Sequence, residues 1–149
     1  MLSNTSGNRN NAIGLSALHY IVGASDNVGV GYRAGAYISG GSTQNTACST
    51  SVYIGSQAYP LADSGANEIV IGYNAVGNGS NTVTLGNTSI TRTYITGITL
   101  KAGTATASTS PLKFNSGPLL TVAEAGTVEF LTDSYYVTTT TGTIRRMVV

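Results

Sequence analysis

Ile69-Val70-Ile71-Gly72-Tyr73-Asn74-Ala75 contains the phrase that decides the fold: an aliphatic residue, Gly, two variable residues, then Ala. The same phrase occurs at Ile13-Gly14-Leu15-Ser16-Ala17, Val30-Gly31-Tyr32-Arg33-Ala34 and Ile54-Gly55-Ser56-Gln57-Ala58. A fifth copy, Leu85-Gly86-Asn87-Thr88-Ser89, keeps the start and loses the Ala. Successive aliphatic anchors are 17, 24, 17 and 14 residues apart. Self-similarity on so short a period is the signature of a stacked solenoid.

Two positions before most anchors lies a second aliphatic residue, giving the pairs Val28/Val30, Val52/Ile54, Ile69/Ile71 and Val83/Leu85. That alternation is the period of a β-strand with one buried face. In the first copy Asn11 stands at this position, as expected where a stack begins. Gly directly after the anchor suits a sharp corner, because it accepts positive φ and has no Cβ to strike the next coil. The recurring Ala suits an inside corner with room for one methyl group. Asn, Ser, Thr and Gly fill the intervals and are turn formers. Each copy therefore reads as one coil of a parallel β-roll, and five coils stack to about 24 Å at about 4.8 Å each. So thin a block buries little apolar surface on its own. The expectation is association, with several chains sharing one core.

Asn67-Glu68-Ile69-Val70-Ile71-Gly72-Tyr73-Asn74-Ala75 resembles the head repeat of trimeric autotransporter adhesins, and more closely its relatives in bacteriophage tail fibres. The segment Asn81-Thr82-Val83-Thr84-Leu85-Gly86-Asn87-Thr88-Ser89-Ile90-Thr91-Arg92-Thr93-Tyr94-Ile95-Thr96-Gly97 is similar to the neck that closes such heads. The resemblance covers residues 11–97. It implies an all-β fold: a left-handed parallel β-roll of about five short coils, narrowing to a stalk, in an intertwined homotrimer. The spacings of 17 and 24 exceed the family's repeat of about fourteen, so loops are inserted here. The implied organisation is head repeats over 1–80, a neck-like transition over 81–97, an extended stalk over 98–111 and a small C-terminal β module over 112–149.

Composition fits an extended, assembled protein. Charged residues make up 9% of the chain and the net charge is +1, which leaves no electrostatic footprint for nucleic acid or an anionic membrane. The 41% apolar content and regular Ile and Val argue against disorder. Helical periodicity is lacking throughout. From Thr104 to Ser110 the residues are too small to form a core and read as linker. Strands are expected at Thr127–Leu131 and Tyr135–Thr139 around a Thr132–Ser134 turn, with another possible over Thr143–Val149. Leu112–Phe114 and Leu119–Leu120 are further apolar segments of this module. It resembles a paired-strand unit common near the C-terminal part of phage fibres, entered through Ala123-Glu124-Ala125-Gly126.

The N-terminus has no basic region followed by an apolar stretch, and no run reaches the roughly 18 apolar residues of a membrane span. A complete autotransporter adhesin needs both an export signal and an anchor, so the expectation tilts to a virion fibre with no membrane insertion. One cysteine, Cys48, excludes an intramolecular disulfide.

Chemistry-bearing residues are sparse. His19 is the only histidine, and Asp26, Asp63, Glu68, Glu124, Glu129 and Asp133 are scattered without the pairing glycoside cleavage needs. Gly29-Val30-Gly31 lacks the rest of a nucleotide fingerprint and reads as a roll corner. The Asn-x-Ser/Thr triplets at Asn4, Asn78 and Asn87 read as turns. No catalytic residue, cofactor or metal is therefore expected, and the chain is not expected to be an enzyme. Tyr20, Tyr32, Tyr37, Tyr53, Tyr59 and Tyr73 all fall within the head, where they pack the coils or hold a sugar ring.

The long step inserts Ala36–Ser51, and inserted solenoid loops are where binding concentrates. Tyr37, Thr43, Gln44 and Asn45 are the candidate receptor contacts. The expected role is a structural and adhesive subunit of a trimeric phage tail or virion fibre. Its partners would be its own copies, other fibre proteins and a host-surface glycan or protein. The alternatives are the head of a bacterial surface adhesin and a fibre-borne polysaccharide depolymerase.

Overall fold

A computed structural model describes residues 3–97, 128–131, 134–138 and 145–148. The chain divides into two compact units, the first ending at Tyr94 and the second starting at Ile95.

In the first unit, β1 (Asn11–Ile13), β2 (Val28–Val30), β3 (Val52–Ile54), β4 (Ile69–Ile71) and β5 (Val83–Leu85) form one parallel sheet in chain order. The register aligns phrase with phrase: Ile13, Val30, Ile54, Ile71 and Leu85 stand in one column. The uneven spacings are therefore absorbed entirely in the loops. The result is a β-solenoid of about four turns. No helix occurs among the described residues.

The glycine corner behaves as its chemistry requires. Gly14, Gly31, Gly55, Gly72 and Gly86 all have positive φ. A Cβ on Gly55 would sit 2.4 Å from the Gly72 carbonyl oxygen, and one on Gly31 would sit 2.7 Å from the Gly55 carbonyl carbon. Each of the first four corners thus lies directly on the backbone of the next coil, while a Cβ on Gly86 would meet the Ile90 side chain. Two residues later the backbone is left-handed again, at Ser16, Arg33, Gln57 and Asn74. Of these four only Asn suits that conformation intrinsically. The turn of the coil, rather than local preference, imposes it. Ala17, Ala34, Ala58 and Ala75 then point inward and are fully buried, as an inside corner demands.

The aliphatic alternation is oriented opposite to the single-chain expectation. The central residue of each strand faces the interior, so Gly29, Tyr53 and Val70 are buried. Gly29 and Gly35 have no side chains to obstruct Leu18 and Tyr53, which fill the space: a Cβ on Gly35 would strike both. Leu18, Ile21, Cys48 and the inward alanines complete the core.

A polar column lines the same interior, one position before each strand. The Asn27 N–H donates to Asn10 Oδ1 (3.0 Å), the Ser51 N–H to Asn27 Oδ1 (3.1 Å) and the Glu68 N–H to Ser51 Oγ (3.2 Å). Asn27 also donates its amide to the Cys48 carbonyl at 2.9 Å. Buried polar groups of this kind are tolerated because almost all of their hydrogen bonds are made.

Residues ahead of β1 extend the stack although they carry no copy of the phrase. The Thr5 N–H donates to the Val22 carbonyl, the Asp26 N–H donates to the Asn8 carbonyl, and Arg9 pairs with Asp26. At the other end, the chain turns after β5 through an Ile90 N–H to Asn87 carbonyl bond. Residues 91–97, the latter part of the neck-like segment, are exposed and carry no strand.

In the second unit, β6 (Val128–Leu131), β7 (Ser134–Thr138) and β8 (Arg145–Val148) form an antiparallel sheet. This agrees with the strands read at Thr127–Leu131, Tyr135–Thr139 and within Thr143–Val149. The expected stalk over 98–111, the segments Leu112–Phe114 and Leu119–Leu120, and turn residues Thr132 and Asp133 lie outside the described residues.

Candidate functional site

The outward face of the five-stranded sheet is aliphatic. One column runs Asn11, Val28, Val52, Ile69, Val83, and the second Ile13, Val30, Ile54, Ile71, Leu85. Within the chain, Ile13 is 66% exposed, Leu85 53%, Ile54 38% and Ile71 37%. No charged residue stands in either column. Parallel sheets are ordinarily covered on both faces, and apolar area gathered into one flat patch marks an association surface. Leu15 and Tyr73, at the corner beyond the second column, extend the apolar surface and are also well exposed.

A second cluster lies past the alanine corner. His19 and Tyr20 have ring centroids 4.4 Å apart, Tyr20 and Tyr37 meet edge-on at 5.2 Å, and Tyr37 and Tyr59 at 6.2 Å. The Tyr20 and Tyr37 hydroxyls are 3.1 Å apart, and this bond raises the Tyr20 pKa above the usual phenol range. Gln57 Nε2 donates to the Tyr59 hydroxyl at 3.2 Å. Beside them the Arg33 guanidinium lies 5.0 Å from the Tyr32 ring centroid and 5.4 Å from that of Tyr37. Tyr20 and Tyr37 are 17 residues apart, the spacing of Ile13 and Val30, so the pairing was legible in the repeat.

The insertion is a small hairpin pinned to this column. Tyr37 and Gln44 form an antiparallel bridge, and the Ile38 N–H donates to the Thr43 carbonyl at 2.9 Å. Gly41 lies against the Tyr59 ring, where a Cβ would be 3.2 Å from Cε2, and Tyr59 is consequently buried. Of the candidate contacts, Thr43 and Gln44 are exposed and Tyr37 is half-buried in the aromatic column. Asn45 does not belong with them. It is fully buried, donates to the Gly35 carbonyl at 2.8 Å and accepts the Cys48 N–H at 3.2 Å, so it closes the hairpin base instead of facing a receptor.

The remaining ionisable groups are occupied in structure. Asp63 Oδ1 accepts the Thr46, Ala47 and Ser64 N–H groups, and Oδ2 accepts the Thr46 hydroxyl at 2.7 Å. Partial burial pushes its carboxyl upward, but these donors outweigh it and hold the pKa below the usual carboxylate range. Glu68 is fully buried; Oε1 accepts the Gly79 N–H at 2.8 Å and Oε2 has no partner among the described residues. Burial pushes the Cys48 thiol and the Tyr53 hydroxyl upward. The Tyr53 hydroxyl has Cys48 and Ser51 as polar neighbours, with neither in hydrogen-bonding geometry.

Two shallow recesses are open to solvent. One, of about 490 Å³, lies at the β5 end of the roll beside Asn74, Val76, Thr84 and Asn87. The other, of about 580 Å³, lies beside Val22, Ala24 and Thr46. Neither is lined by a titratable side chain, and no group of three metal-ligating residues occurs among the described residues. Comparison with protein-family models, with curated proteins and with solved structures returns no match to this chain.

Proposed function

We propose that this chain is a structural and adhesive subunit of a homotrimeric fibre, of the kind carried by phage tails or virions. The observation that carries the reading is the uncharged aliphatic face of the solenoid sheet. Three copies that turn this face toward a common axis form the apolar core that one thin, partly polar coil does not supply. A left-handed roll in this arrangement is what the resemblance of the Ile-Gly-x-x-Ala phrase to fibre head repeats implies.

Magnitudes support a multi-chain arrangement. The face measures about 24 Å by about 10 Å, or roughly 240 Å². At about 25 cal/mol per Å², covering it is worth on the order of 6 kcal/mol per chain. That is comparable to the whole stability of an ordinary domain, about 5–15 kcal/mol. It is nonetheless well below the roughly 800 Å² per partner of a standard interface. The contact must therefore continue beyond the two aliphatic columns, onto the residues that follow β5. A closed threefold ring meets this requirement, since each chain then contacts two neighbours.

Labelling this chain on intact particles tests the functional half of the reading. Label confined to tail or collar fibres supports it, and label found only on bacterial surface appendages moves the chain to the adhesin alternative. Particles and cells both without label would contradict both.

A further inference from the structure

The structure assigns a ligand site to the aromatic column: we propose that Arg33, Tyr20, Tyr32 and Tyr37 together bind an acidic saccharide. This rests on the adhesive half of the reading above and names the ligand class.

Arg33 is the unusual member. Among described residues 3–90 the only other cation is Arg9, which is paired with Asp26. The carboxylates of that region are committed elsewhere: Asp26 to Arg9, Asp63 to four donors from Thr46, Ala47 and Ser64, and Glu68 to the interior. Arg33 thus has no carboxylate partner among the described residues. Its position is held at both ends. Its backbone is fixed in the left-handed conformation of the coil corner, and its guanidinium lies 5.0 Å from the Tyr32 ring centroid and 5.4 Å from that of Tyr37. A guanidinium pre-positioned in this way retains its fork of N–H donors for a planar carboxylate.

The surroundings select a sugar as the bearer of that carboxylate. Tyr32 is 40% exposed, and Tyr20 and Tyr37 are half-exposed, so ring surface is available beside the cation. Amphipathic aromatic rings receive the C–H face of a pyranose while their hydroxyls meet its edge. The paired Tyr20 and Tyr37 hydroxyls and the exposed Thr43 and Gln44 side chains provide further donors and acceptors. A simple anion would use Arg33 and leave the rings idle. A neutral sugar would use the rings and leave Arg33 idle.

The test is calorimetric titration of the whole protein with trigalacturonic acid and with its fully methyl-esterified form, at low ionic strength. Saturable binding of the acid at least tenfold tighter than of the ester is expected, falling as salt is raised. Arg33→Gln should remove the difference between the two forms, while Tyr37→Ala should weaken both. Far-UV spectra and sedimentation of each variant, run on the same samples, establish that the fold and assembly persist. If a variant does not fold, the acid-to-ester ratio of the unaltered protein still decides. Equal affinity for acid and ester, or no saturable binding of either, overturns the proposal. Loss of the trimer with the acid preference intact would overturn the assembly reading and leave this site standing.

Discussion

The two faces of the solenoid sheet are made from the same short strands and have opposite character. The inward face, with its corners and preceding positions, is assembled from Ala, Gly, Cys, Asn and Ser, with Leu18, Tyr53 and Val70 as bulk. The outward face is nearly all Val, Ile and Leu. In an ordinary globular domain the distribution is reversed. The coil is too tight to hold two rows of branched side chains, so the interior is filled by small residues and by a hydrogen-bonded polar ladder. The larger apolar surface is left on the outside of the coil, and the proposed assembly would cover it. The interior specifies the coil, and the exterior carries the proposed assembly.

Substitutions at four positions break or sharpen this contrast. Gly55→Ala should have the largest effect. The added methyl meets the Gly72 carbonyl, and the corner φ of 125° is unfavourable for any other residue. A loss of about 3 kcal/mol or more is expected in denaturant unfolding, and an unchanged midpoint would refute the corner packing. Asn27→Ala removes the partner of the Ser51 N–H and the Cys48 carbonyl inside the roll. It should cost about 2 kcal/mol by the same measurement. An equal substitution in an apolar core would cost through lost volume, so Asn27→Leu, which restores volume without hydrogen bonds, should not rescue it.

Tyr53→Phe should be neutral or stabilise by up to about 1 kcal/mol, because the hydroxyl it removes is buried and unpartnered. A clear loss would reveal a bond that this hydroxyl makes. Ser16→Asn is expected to have the smallest effect. It places the residue type that tolerates left-handed backbone at a position with φ of 59° and should raise stability by about 0.5 kcal/mol. A fall would mean that Ser16 contributes contacts beyond its backbone.

Much of this contrast could be read from the chain. Strand positions, their parallel register, the Gly corner and the buried Ala all followed from the phrase, because each is a local requirement repeated in every coil. The facing of the aliphatic pairs did not. Period-2 alternation states that two residues share a side and one lies opposite, without saying which side closes on itself. The polar ladder was also present in the sequence, since Asn10, Asn27, Ser51 and Glu68 all lie three residues before an anchor. Side chains of such different type give no repeating letter, and only the shared offset reveals them. The polar insertion alone points Asn45 to a receptor surface, whereas in the fold it is buried at the hairpin base. Its burial arises from the way the hairpin folds back on Tyr59, a contact between coils that no local pattern contains.

The C-terminal strands were legible as short strand-forming runs around a turn, and the stalk expected over 98–111 falls outside the described residues. The site containing Arg33 shows the same limit as Asn45. The tyrosine spacing was visible, whereas the unpaired state of Arg33 depends on where every carboxylate in the head is used.

The proposed assembly is decided by mass. Sedimentation equilibrium at micromolar concentration should give three times the 15.2 kDa chain mass. The variant Ile54→Glu/Ile71→Glu, which puts charge at the centre of the aliphatic face, should sediment as a single chain with its strand spectrum retained. A single-chain mass for the unaltered protein, or a trimer that survives both substitutions, would contradict the assembly.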